Sequence, residues 1–139
     1  MILIIRIAGQ VDVPGDVKEA LFRLRIRKKY SAVLIKPTPE SLKLIKKIRN
    51  YIAYGPINKE TLLELIEKRA KPVKKGIKID AAKIAEQIDK KTLEELKVKP
   101  FFSLHPPRGG IDAKIHAGRK KGVLGDNKEK INDLVRRML

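Results

Sequence analysis

The feature that most constrains the fold is the run Ile2-Leu3-Ile4-Ile5-Arg6-Ile7-Ala8. β-Branched side chains are stiff and pack well on a pleated sheet, and a nearly unbroken apolar run leaves no face for water. It therefore reads as a buried central strand. Such a strand needs neighbours and cover, and the following residues supply both. After a loop from Gly9 to Gly15, Asp16 stands where a helix N-cap is expected, and Val17, Ala20, Leu21 and Leu24 recur at helical spacing. Ala32-Val33-Leu34-Ile35 predicts a second strand. Thr38-Pro39-Glu40 predicts a helix start: a hydroxyl cap, Pro in the first turn and an acid at the positive end of the dipole. Leu42, Ile45 and Ile48 are expected to face inward, with Lys43, Lys46, Lys47 and Arg49 outward. Ile52-Ala53-Tyr54 predicts a third strand, ended by Gly55-Pro56. The order strand–helix–strand–helix–strand is thus complete as a βαβαβ core over residues 1–57, and the fold class is expected to be α+β.

Residues 58–139 are expected to form a helical, loop-rich extension packed with the core as one domain. Asn58 caps a helix carrying Leu62, Leu65 and Ile66, and Lys71 to Gly76 reads as a surface loop. Ala81 to Ile88 and Thr92 to Leu96 predict two short helices, the second opened by a Thr92/Glu95 capping box. Phe101 to Leu104 predicts a short strand. Asp126 and Glu129 offer another capping box before an amphipathic helix with Ile131, Leu134, Val135 and Met138 on one stripe.

Charge narrows the function. Thirty-three Lys and Arg stand against 16 Asp and Glu, a net charge of +17. Residues 1–70 hold 15 basic and 7 acidic groups and residues 71–139 hold 18 and 9, so the excess runs through the whole chain and no isolated tail carries it. Self-repulsion of that size calls for a polyanionic partner. Aromatic content of 4% argues against a single-strand binder built on stacking platforms. The absence of Cys excludes disulfides, thiolate metal sites and Cys nucleophiles. His105 and His116 have no companions at a metal-binding spacing and no paired carboxylates, so neither an enzyme nor a cofactor is expected. No signal peptide or membrane span is evident, and a cytoplasmic protein without membrane partners is expected.

Three basic sets stand above a merely solvated surface. Arg23, Arg25, Arg27, Lys28 and Lys29 place five cations in seven residues with no acid. Lys43, Lys46, Lys47 and Arg49 line the outer side of the second helix. His105, Arg108, Lys114, His116, Arg119, Lys120 and Lys121 are interleaved with Gly109, Gly110, Gly118 and Gly122 in a stretch, 105–125, expected to be a loop without regular structure. Within it, Leu104-His105-Pro106-Pro107-Arg108-Gly109-Gly110 stiffens the backbone, projects one arginine and then removes side chains, which suits close approach to phosphates.

Taken in order, Ile5 to Pro14, Leu24-Arg25-Ile26, Tyr51 to Gly55, Leu104 to Gly110 and Gly125-Asp126 to Arg137 resemble the L-thirty family of archaeal large-subunit ribosomal proteins, whose eukaryotic relatives are called L-seven. The resemblance runs essentially end to end. It implies a ferredoxin-like core with a small antiparallel-type sheet and helices on one face. It also implies a structural, non-catalytic role binding large-subunit ribosomal RNA beside neighbouring ribosomal proteins, without a small-molecule substrate. Bacterial relatives are similar to residues 1–57 alone. The long basic N-terminal arm of the eukaryotic form has no counterpart here, so its contacts are not carried over. Composition alone leaves open a free-standing basic nucleic-acid-binding protein, such as a chromatin or RNA-chaperone module.

Overall fold

The computed structural model describes residues 1–9, 11, 13–110, 113–116 and 122–139. Strand β1 (Ile2–Arg6) leads through helix α1 (Gly15–Arg23) to β2 (Ser31–Ile35), then through α2 (Pro39–Ile48) to β3 (Ile52–Pro56). The extension adds α3 (Lys59–Arg69), α4 (Ala81–Gln87), the two-residue β4 (Phe102–Ser103), β5 (Ala113–His116), β6 (Gly122–Asp126) and α5 (Lys130–Met138). These strands form one sheet in the order β4-β2-β1-β3-β6-β5. β1 lies at its centre, antiparallel to both β2 and β3, in the register Ile4↔Val33 and Ile4↔Tyr54. The parallel pairing of β6 with β3 makes the sheet mixed.

Side chains alternate across the sheet, and the two faces have different covers. Ile4, Val33 and Ile52 pack against Val17, Ala20 and Leu21 of α1 and Ile45 and Ile48 of α2, so both core helices lie on one face as expected. Leu3, Ile5, Ile7, Ala32 and Ala53 point the other way, into a second cluster with Leu62, Leu65 and Ile66 of α3, Ile84 of α4 and Ile131, Leu134 and Val135 of α5. The extension therefore supplies the second layer over a sheet that would otherwise leave an apolar face open.

Several local expectations are corrected. α1 begins at Gly15 with Pro14 at its N-cap, so Asp16 lies inside the first turn as an acid near the dipole and is no cap. Leu42 is exposed, and Leu44 packs on the α1–α2 cluster instead, because α2 starts at Pro39 and turns that face to the sheet. β3 runs through Gly55 to Pro56 where an end was expected, since Leu3 and Ile2 of the central strand pair with both. The Thr92/Glu95 box forms, with reciprocal bonds of 3.3 Å, but over a turn and not a helix. The Asp126/Glu129 box does not form: Asp126 ends β6, its Oδ1 accepts from the Lys128 amide at 2.9 Å, and Glu129 caps α5 with no side-chain bond. Most consequentially, the 105–125 stretch is not one structureless loop, because β5 and part of β6 lie within it. The edge of β3 offers backbone groups for pairing, and Gly125 and Asp126 satisfy them opposite Ala53 and Tyr54 despite weak strand propensity.

Candidate nucleic-acid interface

One residue that sequence reasoning did not single out as functional organises the first basic set. Arg6 sits in the apolar run of β1 and is 3% exposed. Its Nη1 donates to the carbonyls of Ile26 at 3.0 Å and Arg27 at 2.8 Å, its Nε to Ala8 at 3.0 Å and its Nη2 to Gly9 at 3.0 Å. Burial pulls its pKa below the ordinary guanidinium value. The four carbonyls that accept from the guanidinium offset that cost of burial. The guanidinium clasps the 8–9 and 26–27 backbones together. A lone cation in a run that otherwise must be buried was the available signal, since such a group persists only when fully hydrogen-bonded.

The turn that Arg6 holds carries Arg25, Arg27, Lys28 and Lys29. α1 ends in bonds from the Arg25 amide to Phe22 and from the Ile26 amide to Leu21, the arrangement in which glycine is usual at the left-handed position. Here Arg25 takes that position with φ 62°, and Tyr30 takes another, also with φ 62°. Arg23 pairs with Glu19 at 2.6 Å, and Arg25 pairs with Glu94. The Arg27 guanidinium lies 4.0 Å from the centre of the Phe22 ring, and the Lys29 ammonium 5.0 Å from that of Tyr30.

His105 and Arg108 come to the same edge of the molecule. The Leu104 amide donates to the Tyr30 carbonyl at 3.0 Å, which ties the segment after β4 to the end of the Arg23–Lys29 run. The segment then lies along the end of α5: His105 N donates to Met138 O at 3.2 Å, Arg108 N to Arg137 O at 3.0 Å, and Arg137 Nε to Arg108 O at 3.0 Å. Arg137 Nη2 also meets the Gly110 carbonyl. The His105 ring faces the carbonyls of Pro106, at 2.7 Å, and Leu139, so this histidine is bound to backbone. Arg108 is exposed. Gly109 and Gly110 adopt φ of 79° and 74°, yet a Cβ at Gly109 would meet only Arg137 Nη2 at 4.0 Å and one at Gly110 nothing. Conformation, not crowding, requires glycine there.

The α2 set lies elsewhere. Lys47 faces Asp16 at 3.6 Å, which puts the C-terminal end of α2 beside the start of α1 and away from the Arg23–Lys29 turn. Lys43, Lys46 and Arg49 are exposed along the same helix end. Burial raises the Tyr54 phenol, Asp126 raises it further and Arg49 opposes both, which locates Arg49 near the β3–β6 pairing. Lys114 and His116 stand on β5, but their side chains, like the whole of Arg119, Lys120 and Lys121, lie outside the described residues. Of the three sets, the structure brings the first and the beginning of the third together along the β4 edge, and leaves the α2 set as a separate patch.

Comparison with known proteins then decides the family. Residues 2–52 match the family described as Ribosomal protein L30p/L7e. The chain is 36% identical to the large ribosomal subunit protein uL30 of Methanococcus maripaludis, with 98% of this chain and 97% of that protein covered. The chain belongs to the L30p/L7e family. It is also 35% identical to the uL30 proteins of Desulfurococcus amylolyticus, covering 98% and 96% of the two chains, and of Archaeoglobus fulgidus, covering 99% of each. The L30p/L7e match takes in β1 through the start of β3, the layer held by Arg6, while the archaeal relatives extend through α5.

Proposed function

We propose that this L30p/L7e chain is a structural constituent of the large ribosomal subunit, where it binds and stabilises ribosomal RNA without catalysis and packs beside neighbouring ribosomal proteins. The observation that carries the reading is that a chain of net charge +17 is similar over nearly its whole length to large-subunit proteins. The β4 edge, with Arg23, Arg25, Arg27, Lys28, Lys29, His105 and Arg108, forms the principal RNA contact. Lys43, Lys46, Lys47 and Arg49 of α2 form a second, and Lys114, His116, Arg119, Lys120 and Lys121 extend the first. Gly109 and Gly110 let the backbone lie close to phosphates beside Arg108. Two separate patches suit a protein wedged between RNA helices better than one gripping a single duplex.

The test is the salt dependence of binding to a large-subunit RNA fragment, with co-sedimentation on large subunits in moderate salt. Neutralising roughly six to ten phosphates makes log affinity fall with a slope of about 0.7 to 0.9 per contact against log salt. A slope equivalent to one or two contacts would overturn the two-patch reading.

Arg108 gives a second test. Arg108→Lys keeps the charge but loses the planar fork, and RNA affinity is expected to drop by about 1–2 kcal/mol with an unchanged melting temperature. Gly109→Val also strains a left-handed backbone that Arg137 braces, so about 1–2 kcal/mol of stability should go as well. Wild-type binding by both variants would remove this segment from the interface.

A further inference from the structure

We propose that the groove between the α1–β2 turn and strand β4 takes a single unstacked nucleotide of RNA, with its base against Phe101 and its phosphate on Arg25 and Lys28. This deepens the RNA-binding reading and rests on it. The groove is about 490 Å³ and is lined by Arg25, Arg27, Lys28, Ser31, Ser103 and Phe101 together with Pro100. That volume is in the range of pockets that hold one small ligand, roughly 300 Å³ and upward.

Its origin is architectural. In β4 the side chains alternate, so fully buried Phe102 joins the cluster under α3 to α5 while Ser103 points to the opposite face, level with its register partner Ser31. That is the face covered by α1 and α2, but their cluster extends only over β1, β2 and β3. The β4 edge is left bare, and Phe101 stays half-buried beside it.

The lining chemistry selects the occupant. Among the described residues, three cations and no acid line the groove, so an anion is favoured. Arg25 takes the left-handed position that ends α1, φ 62°, which turns its side chain out of the helix and into the groove wall. Glu94, in the wall of an adjoining groove, pairs with that side chain and fixes its direction. Ser31 and Ser103 offer hydroxyls that can donate to or accept from a base edge, and Phe101 gives one aromatic face. One ring is too little for a run of stacked bases but suffices for one base, and RNA presents single bases at bulges and loops, not within duplexes. The adjoining, mainly apolar groove of about 390 Å³ continues from Arg25. Among the described residues of its walls, Arg23, Lys36 and Lys91 stand against the single acid Glu94, so its net charge also favours a flanking phosphate.

The experiment uses the full chain and two RNA hairpins with the same stem, one carrying a single bulged adenosine. The wild type should bind the bulged hairpin at least roughly fivefold more tightly, the lower end of what one base–aromatic stack contributes. Phe101→Leu should abolish that preference while leaving affinity for the plain stem and its salt slope unchanged, and Phe101→Tyr should retain it. Ultraviolet crosslinking of wild-type protein to the bulged hairpin should join the RNA at Phe101, a readout that needs no variant to fold. Equal binding of both hairpins by the wild type, a preference that survives Phe101→Leu, or crosslinks confined to other residues would each overturn the groove. The salt slope on the plain stem reports separately on the phosphate-binding surface, so the nucleotide site can fail while that surface stands.

Discussion

Replacing Arg6 with Met should lower stability by about 3–4 kcal/mol and weaken RNA binding even where the variant is fully folded. The first effect follows from four hydrogen bonds to backbone carbonyls made by one buried guanidinium. Each bond to a charged donor contributes on the order of 1.5–3 kcal/mol, but Met recovers apolar contact and some of the carbonyls can turn to water. In a chain of this size the loss should appear as a melting temperature lower by roughly 10 °C. The second effect follows because two of the carbonyls belong to Ile26 and Arg27, within the turn that presents Arg25, Arg27 and Lys28. Arg6→Lys should be only a partial remedy, since one ammonium cannot span both backbones as a planar fork does. Thermal melts, beside RNA titrations made below the variant's transition, would measure this. A Met variant within about 1 kcal/mol of wild type would mean that the clasp is dispensable.

Gly55→Ala should cost about 2–3 kcal/mol, a large penalty for one methyl. A Cβ at Gly55 would come within 2.5 Å of the Lys128 carbonyl and 3.0 Å of the Ile131 Cγ2, so α5 must move away from β3. Backbone cannot swing aside as a flexible side chain can. Gly15→Ala is the matched control: nothing lies within 4 Å of its Cβ position, and it opens α1, where Ala should be neutral or stabilising by up to about 1 kcal/mol. Opposite signs for the same added atom, read from denaturant melts, would verify that Gly55 is fixed by the approach of α5. Equal effects would contradict it.

Much of this architecture is legible in the amino-acid order alone. The strands around Ile4, Val33 and Ile52 and the helices carrying Val17 to Leu21 and Ile45 to Ile48 announce themselves because local period and tertiary burial agree. What is not legible there is decided by partners distant in the chain. Gly122 to Asp126 has little strand propensity and forms β6 because β3 has an edge to fill. Asp126 has the right spacing for a capping box, yet strand pairing takes it first. Arg6 reads as an interruption until the carbonyls of Ile26 and Arg27 surround it. Of the candidate site, the Arg23–Lys29 run is evident as a cluster of charge. Its union with Phe101 is not, since more than seventy positions separate that ring from Arg27.

The division of the core into two faces also has a consequence for the order in which a growing chain can become secure. The α1–α2 layer is built entirely from residues up to Ile52, so it can close while the rest is still being synthesised. The layer beneath waits for Ile131, Leu134, Val135 and Met138, made long after Ile52. Until α5 arrives, Leu3, Ile5 and Ala53 have only α3 and α4 for cover, and that layer stays partly exposed. At about 5–20 residues per second that exposure lasts several seconds, long enough for misassociation to compete. A high positive charge, which keeps half-finished copies apart and draws them to RNA, protects the chain during that interval.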